Sequence, residues 1–243
     1  MFIVIRESRH SDTPAISEVV RNAYTSGVFN AWLNALFHEV TFQSIILVAA
    51  LLFILFSVPL FYCIVAVPIV LVMIFVCIYG SLLMKVGQLL YEKKVEKCWV
   101  AEVYEPFFHT KKPKNCWYKF TTEEMIKTDE IQVNGLNKKI IGTVAVQKHN
   151  HLDACGWLFR LAVDERYRRK SVALKLVQTL KTWCHENRYN YIECVMSECQ
   201  EGARQLFNEA GFDIKQLYHK QLFTNAISLQ MFQLRCEVRQ TFN

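Results

Sequence analysis

From Thr41 to Met84 the chain runs for 44 residues without an Asp, Glu, Lys, Arg or His. Crossing a bilayer takes about 20 apolar residues as a helix. The run is too long for one crossing and suits two joined by a tight turn. Ser57-Val58-Pro59 is the natural break, because proline disfavours continuing a helix. Pro68 could instead kink the second span or shift the turn. A helix in a soluble core normally keeps one polar face, and Ile45–Phe56 and Ile69–Ile78 have almost none. The expectation is a membrane hairpin over 41–84, either two spans or a re-entrant loop. Either form returns the chain to the side it came from. Lys85, Lys93, Lys94 and Lys97 follow the run closely, and Arg6, Arg9 and Arg21 precede it. The positive-inside rule then puts both flanks on the cytosolic side. The run begins too late and is too long for a secretory signal.

The rest of the chain reads as α/β. Its +6 formal charge, from 28 Lys+Arg against 22 Asp+Glu, is too modest to point to nucleic acid. Nine cysteines at irregular spacing include no CxxC pair, so zinc and thioredoxin patterns are absent and reduced thiols are expected. Phe2–Arg6 is strand-like, and Ser11-Asp12-Thr13-Pro14 starts a helix carrying Ile16, Val19, Val20 and Ala23. After the apolar run come a strand at Trp99–Val103, a polar insertion at about 106–137 containing Lys111-Lys112-Pro113-Lys114, and strands at Ile140–Val146 and Trp157–Val163. Val172, Leu176, Leu180 and Trp183 form the stripe of a helix. Tyr191–Met196 is a buried strand and Glu201–Ala210 a helix stopped by Gly211. Phe212–Leu217 and Ala226–Leu234 are further strands. The expected division is 1–40, 41–84 and 85–243, with the first and last pieces completing one domain.

The informative junction is Leu161 to Leu174, where a buried strand enters a basic turn and a helix begins. Free N–H groups at a helix start, with the positive end of its dipole, suit a pyrophosphate. Arg166, Arg168, Arg169 and Lys170 add cations; an ordinary solvated basic turn is the alternative. Arg160 is a cation in an otherwise apolar strand and needs a partner, either a ligand carboxylate or an Asp or Glu of the chain. His149 and His151 precede that strand, as a general base or as plain loop histidines, and Glu193 lies in an apolar strand as another candidate base.

Arg168-Arg169-Lys170-Ser171-Val172-Ala173 resembles the acetyl-CoA loop of the GCN5-related N-acetyltransferase superfamily, Arg/Gln-x-x-Gly-x-Gly/Ala, with Ser171 in place of the usual glycine. Gln200 to Phe212 resembles that family's Asn-x-x-Ala-x-x-Leu-Tyr-x-x-x-Gly-Phe segment. The resemblance implies an α/β fold of a mixed central sheet with flanking helices, here interrupted by the transmembrane hairpin. It implies acetyl-CoA as cosubstrate, no metal, and a cradle of main-chain amides from Arg168 to Ala173. The Val163 amide would polarise the thioester. Gln200 stands where an asparagine contacts the cofactor arm, and Phe207 where a tyrosine protonates the leaving thiolate. Tyr218, Cys199 and Ser197 are alternative candidates for that acid, with no choice made among them. The inserted apolar run looks like the membrane-anchored camello-like group, which acetylates cysteine S-conjugates, aspartate or protein lysines. That group implies an endoplasmic reticulum location, a cytosol-facing catalytic domain, a bilayer as partner, and no nucleic acid. Self-association through the hairpin stays open, as does a catalytically weak acetyl-CoA binder.

Overall fold

A computed structural model describes residues 1–57, 59–91, 95–106, 113–123, 125, 135–197, 200–223 and 227–238. The chain divides into two units. Met1–Ala23 and Leu89–Asn243 form one, and Tyr24–Gln88 the other. The charge-free run, 41–84, lies within the second unit.

The first unit is built on a single sheet. Its strands are β1 (Phe2–Glu7), β2 (Lys97–Pro106), β3 (Lys119–Thr121), β4 (Leu136–Lys148), β5 (Cys155–Val163), β6 (Tyr191–Ser197), β7 (Asp213–Phe223) and β8 (Ile227–Glu237), in the order β3-β1-β2-β4-β5-β6-β8-β7. β3 pairs parallel to β1 and lies within the polar insertion at about 106–137. Its three residues are too few to leave a periodic signal. Helix α1 (Thr13–Thr25) follows β1 and buries Ile16, Val19 and Val20.

Two later helices complete this unit: α5 (Val172–Glu186) and α6 (Glu201–Glu209). α5 buries Val172, Leu176, Val177, Leu180 and Cys184 in the main core with Ile141, Val144, Leu158 and Ile192. Gly142 lets α5 lie close on β4, since a Cβ there would meet Leu176 Cδ1 at 3.2 Å and the Ala162 carbonyl at 3.3 Å. α6 closes through Ala210 onto Gly211, whose φ of 76° suits glycine.

Arg6 ties the start of this unit together. Its guanidinium reaches Asp12 at 2.7 Å and Glu102 at 3.2 Å, all three buried or nearly so. The hydrogen bond from Arg6 outweighs burial and holds the Asp12 carboxyl below the usual carboxylate range.

The second unit is helical. α2 (Val28–Leu36) and α3 (Glu39–Phe56) meet at a sharp break, and α4 (Ala66–Leu90) follows a 3-10 turn over Leu60–Val65. Ser57 ends α3 in the left-handed region, at the start of the expected break. Trp32 of α2 donates to the Leu71 carbonyl of α4 at 3.1 Å and meets Phe75 edge-on. Large apolar side chains stand exposed along α3 and α4, among them Ile46, Leu47, Ile54, Val72, Met73 and Val76. One helical stretch, Phe61–Leu90, is long and apolar enough to cross a membrane. The stretch ending at Leu55 passes only as a pair with His10–Leu36, bent by 72°. By length and composition the described residues thus supply one qualifying helix, or two where the bent pair counts as a single span.

Candidate active site

β5 and β6 run parallel but pair only at Cys155–Trp157 against Tyr191–Glu193. Beyond Trp157 the pairing stops, while β5 continues to Val163 beside β4 and β6 to Ser197 beside β8. The two strands thus leave a gap between Leu158–Val163 and Cys194–Ser197.

A bulge sets what faces this gap. Ala145 of β4 pairs with Phe159 and Thr143 with Ala162, so one β4 residue opposes both Arg160 and Leu161. Arg160 carries the strain, with φ at 58°. The amide of Asp164 donates to the Ile141 carbonyl at 2.8 Å. In an antiparallel ladder the bonding direction alternates along the strand. Val163 and, two residues back, Leu161 therefore turn their amides away from β4 and into the gap. Leu161 has no feature in the sequence that marks it for this role, because the bulge alone decides it.

Past Val163 the chain makes a 3-10 turn over Glu165–Tyr167 and enters α5. Arg169 and Ser171 both adopt left-handed φ, 61° and 57°. These are the positions where glycine would relieve the backbone. Asp164 is buried and bonds Arg166 through its main-chain amide at 3.0 Å and its guanidinium at 2.7 Å. Burial pushes the Asp164 carboxyl up, but the bonds from Arg166 outweigh it and hold the pKa below normal. Buried Tyr167 donates to Glu105 at 3.0 Å beside Tyr118, which donates to the same carboxylate at 2.6 Å. The turn is thus pinned from below.

The amides from Arg169 to Leu174 find no acceptor among the described residues, whereas Arg168 N donates to Glu165 O at 3.4 Å. Six amides at the start of a 15-residue helix make an anion cradle. The cations around it have partners of their own. Arg168 reaches the carbonyls of Val163 at 3.4 Å and Ala23 at 3.3 Å, Arg169 bonds Gln205 at 3.0 Å, and Lys170 donates to the carbonyls of Lys114 and Cys116 at 2.8 and 2.6 Å. The main chain is therefore the first ligand offered, with the side chains bracing the loop. A diphosphate fits this donor set.

The other candidates are spread over the sheet. Gln200 stands just before α6, and its Oε1 accepts from Ser197 N at 3.4 Å across the end of β6. Phe207 is buried against Phe212 with ring centroids 5.1 Å apart, and it carries no proton to give. Tyr218 lies on β7 opposite Met231, and β8 separates it from β6, about 10 Å in strand spacings. His149 N bonds Cys155 O at the start of β5, eight residues and about 26 Å of strand from Val163. His151 N donates to His149 Nδ1 at 3.1 Å. Both histidines lie at the paired end of β5, far from the amide cradle. Cys199, Lys111 and Lys112 fall outside the described residues.

Glu193 is fully buried yet saturated. Lys215 and Gln233 donate to it at 2.8 and 2.7 Å, Arg235 at 2.5 Å, and His149 Nε2 lies 3.7 Å away. Burial pushes its carboxyl up, but the bonds from Lys215, Arg235 and Gln233 outweigh this and hold it below the usual range. A carboxylate held ionised by two cations is a weak proton acceptor. Arg160, 8% exposed, donates through Nε to the Leu89 carbonyl at 2.9 Å and through Nη2 to the carbonyls of Leu89 and Leu90 at 2.5 and 3.3 Å. These partners are main-chain oxygens at the end of α4, a kind of acceptor that the sequence does not suggest. No group of metal-ligating side chains occurs among the described residues.

No curated protein sequence matches this chain. A profile of the Acetyltransferase (GNAT) family matches residues 93–212. Among solved structures, the ribosomal-protein-S18-alanine N-acetyltransferase from Escherichia coli is 12% identical with a TM-score of 0.50, covering 99% of this chain and 96% of its own. A protein assigned as a phosphinothricin N-acetyltransferase is 11% identical with a TM-score of 0.50, covering 98% and 99%. These two likenesses show the fold. With the sheet order, the parted strands and the amide cradle, they give the α/β part of this chain the fold of those two acetyltransferases, and residues 93–212, just under half of the chain, are similar to the Acetyltransferase (GNAT) family.

Proposed function

We propose that the protein transfers an acetyl group from acetyl-CoA to a primary amine while anchored in a membrane. The observation that carries this reading is the juxtaposition of a free amide cradle at Arg169–Leu174 with amides turned into the β5–β6 gap. The cradle would hold the diphosphate and the gap would take the thioester. The Val163 amide would donate to the thioester oxygen as the neutral amine attacks, an oxyanion-type contribution. Most of the rate would come from positioning. Gln200, whose Oε1 accepts from Ser197 N beside the end of β6, would meet the cofactor arm.

The exposed apolar surface of α3 and α4 supports the anchor, and Phe61–Leu90 supports at least one insertion into the bilayer. The resemblance to the camello-like group supports an endoplasmic reticulum location with the α/β unit in the cytosol. It also supports cysteine S-conjugates, amino acids or protein lysines as acceptors. Full-length protein in lipid nanodiscs, given acetyl-CoA and these three acceptor classes, should release CoA with one of them. Absence of CoA release across the panel would overturn the catalytic reading.

Phe207 favours a second reading, a slow or inactive acetyl-CoA binder. A thiol with a pKa of about 8.5 leaves tolerably without help. General-acid assistance is typically worth about 10²–10⁴-fold. Phe207→Tyr should therefore raise kcat at least about tenfold if the missing acid limits turnover. An unchanged kcat in a folded variant would show that another group, or none, does this work.

A further inference from the structure

The bulge in β5 has an owner. Before it, the even-numbered positions Gly156 and Leu158 turn their main-chain groups toward β6, and Gly156 pairs with Ile192 there. After it, the odd-numbered Leu161 and Val163 do so. The extra residue at Arg160–Leu161 makes this switch. An arginine is a poor choice for a φ of 58°, because its Cβ crowds the following carbonyl. Something must hold it there, and the guanidinium is engaged three times over by the last carbonyls of α4, Leu89 and Leu90, both within the α/β unit.

These interactions suit each other. The final carbonyls of a helix lack intrahelical donors and carry partial negative charge. A buried guanidinium needs several acceptors and some compensation of its charge. Three donor contacts to two carbonyls supply acceptors and the helix end supplies the field. The aromatic face of Phe159, 5.1 Å from the guanidinium carbon, adds a cation–π contact.

We propose that Arg160 is a positioning residue: its grip on Leu89 and Leu90 holds the β5 bulge, and the bulge aims the Leu161 and Val163 amides into the gap. The role rests on the acetyltransferase reading and concerns only the acyl end of the site. The amide cradle for the diphosphate is built separately, at the start of α5. Arg160 is therefore expected to affect acetyl-CoA and CoA differently.

Two variants separate the backbone from the side chain. Arg160→Gly tolerates the positive φ but loses the grip. Arg160→Lys keeps a charge and can restore one carbonyl contact. Binding of acetyl-CoA and of CoA is measured by calorimetry on full-length protein in nanodiscs. The carbonyl resonance of bound acetyl-CoA labelled with carbon-13 at C1 is followed by NMR.

Arg160→Gly should weaken acetyl-CoA about threefold to tenfold, the effect of misaligning one or two hydrogen bonds, and leave CoA within twofold. The bound carbonyl resonance should move back toward its value in free acetyl-CoA. Arg160→Lys should fall between the variant and the parent. Equal weakening of both ligands, or an unchanged carbonyl resonance in folded Arg160→Gly, would overturn the proposal and leave Arg160 as a structural cap. Failure of the parent protein to bind either ligand would overturn the acetyltransferase reading itself, and this role with it.

Discussion

The two ends of β5 are built on opposite rules. At the paired end, Cys155–Trp157 bonds to both neighbours, and the carboxylate of Glu193 across from it is fully saturated by Lys215, Gln233 and Arg235. At the open end, Val163 turns its amide to a gap, and six amides at the next helix start have no acceptor among the described residues. Each end holds polar groups that burial or helix geometry makes expensive to leave alone. Satisfaction within the chain marks the first end as structural. Donors left over at the second are what the proposed ligand site rests on. The difference warns against reading a buried ionisable group as catalytic on its position alone: Glu193 has the look of a base and the bonds of a staple.

The sharpest way to break this contrast is to supply the open end with an acceptor of its own. Ser171→Asp places a carboxylate at the cradle, where it can bond the free amides and meet the helix dipole. Stability should rise by about 0.5–1 kcal/mol by denaturant titration. CoA should bind about a hundredfold more weakly, since the carboxylate both fills the cradle and repels the diphosphate by about 3 kcal/mol. Lower stability together with unchanged CoA affinity would show that these amides are not a ligand site.

The paired end should answer in reverse. Glu193→Gln keeps an acceptor but removes the charge facing Lys215 and Arg235. Because both cations are about one-third exposed and can hydrate, the loss should be about 1–3 kcal/mol of stability, with CoA affinity unchanged. The acid response sharpens the same point. The Glu193 carboxyl is held below its ordinary 4.5 in the folded protein. Its contribution is therefore complete above that pH and is lost as pH falls through the folded value. Melting of the parent protein should steepen on acidification below about pH 4.5 more than melting of Glu193→Gln. Parallel curves would mean that the staple carries no net charge stabilisation.

Most of the open end is legible in the sequence, and most of the staple is not. The cradle follows from a local pattern, Arg168 to Ala173 between a buried strand and a helix stripe, and locality is what sequence spacing captures. The apolar runs of β2, β4, β5 and β6 are readable for the same reason. The partners of Glu193 lie 22 to 42 residues away on β7 and β8, so only strand order brings them together. Arg160 is legible as a cation needing a partner, but the carbonyls it grips are main-chain groups, which every residue has and no residue type announces. The boundary at Tyr24 leaves no mark because residues 22–37 are uncharged yet dotted with Asn, Thr and Ser. They do not read as part of the apolar run even though α2 packs with α4 through Trp32.

The smallest expected effect tests how well the open end is tuned. Ser171 sits at φ 57° immediately before α5, in a region where a Cβ is crowded and glycine is not. Ser171→Gly removes that strain in the folded chain but frees the unfolded one, and the two effects oppose each other. At a positive φ the relief wins, so stability should rise by about 0.5 kcal/mol. If the serine also holds the neighbouring amides slightly off line, CoA should bind about twofold to threefold more tightly, because a relaxed loop lets Val172 and Ala173 turn toward the diphosphate together. A stability gain without a change in affinity would place the strain in the fold alone. No gain in either would mean that the loop accommodates the serine without strain, and that the departure from glycine leaves the cradle intact.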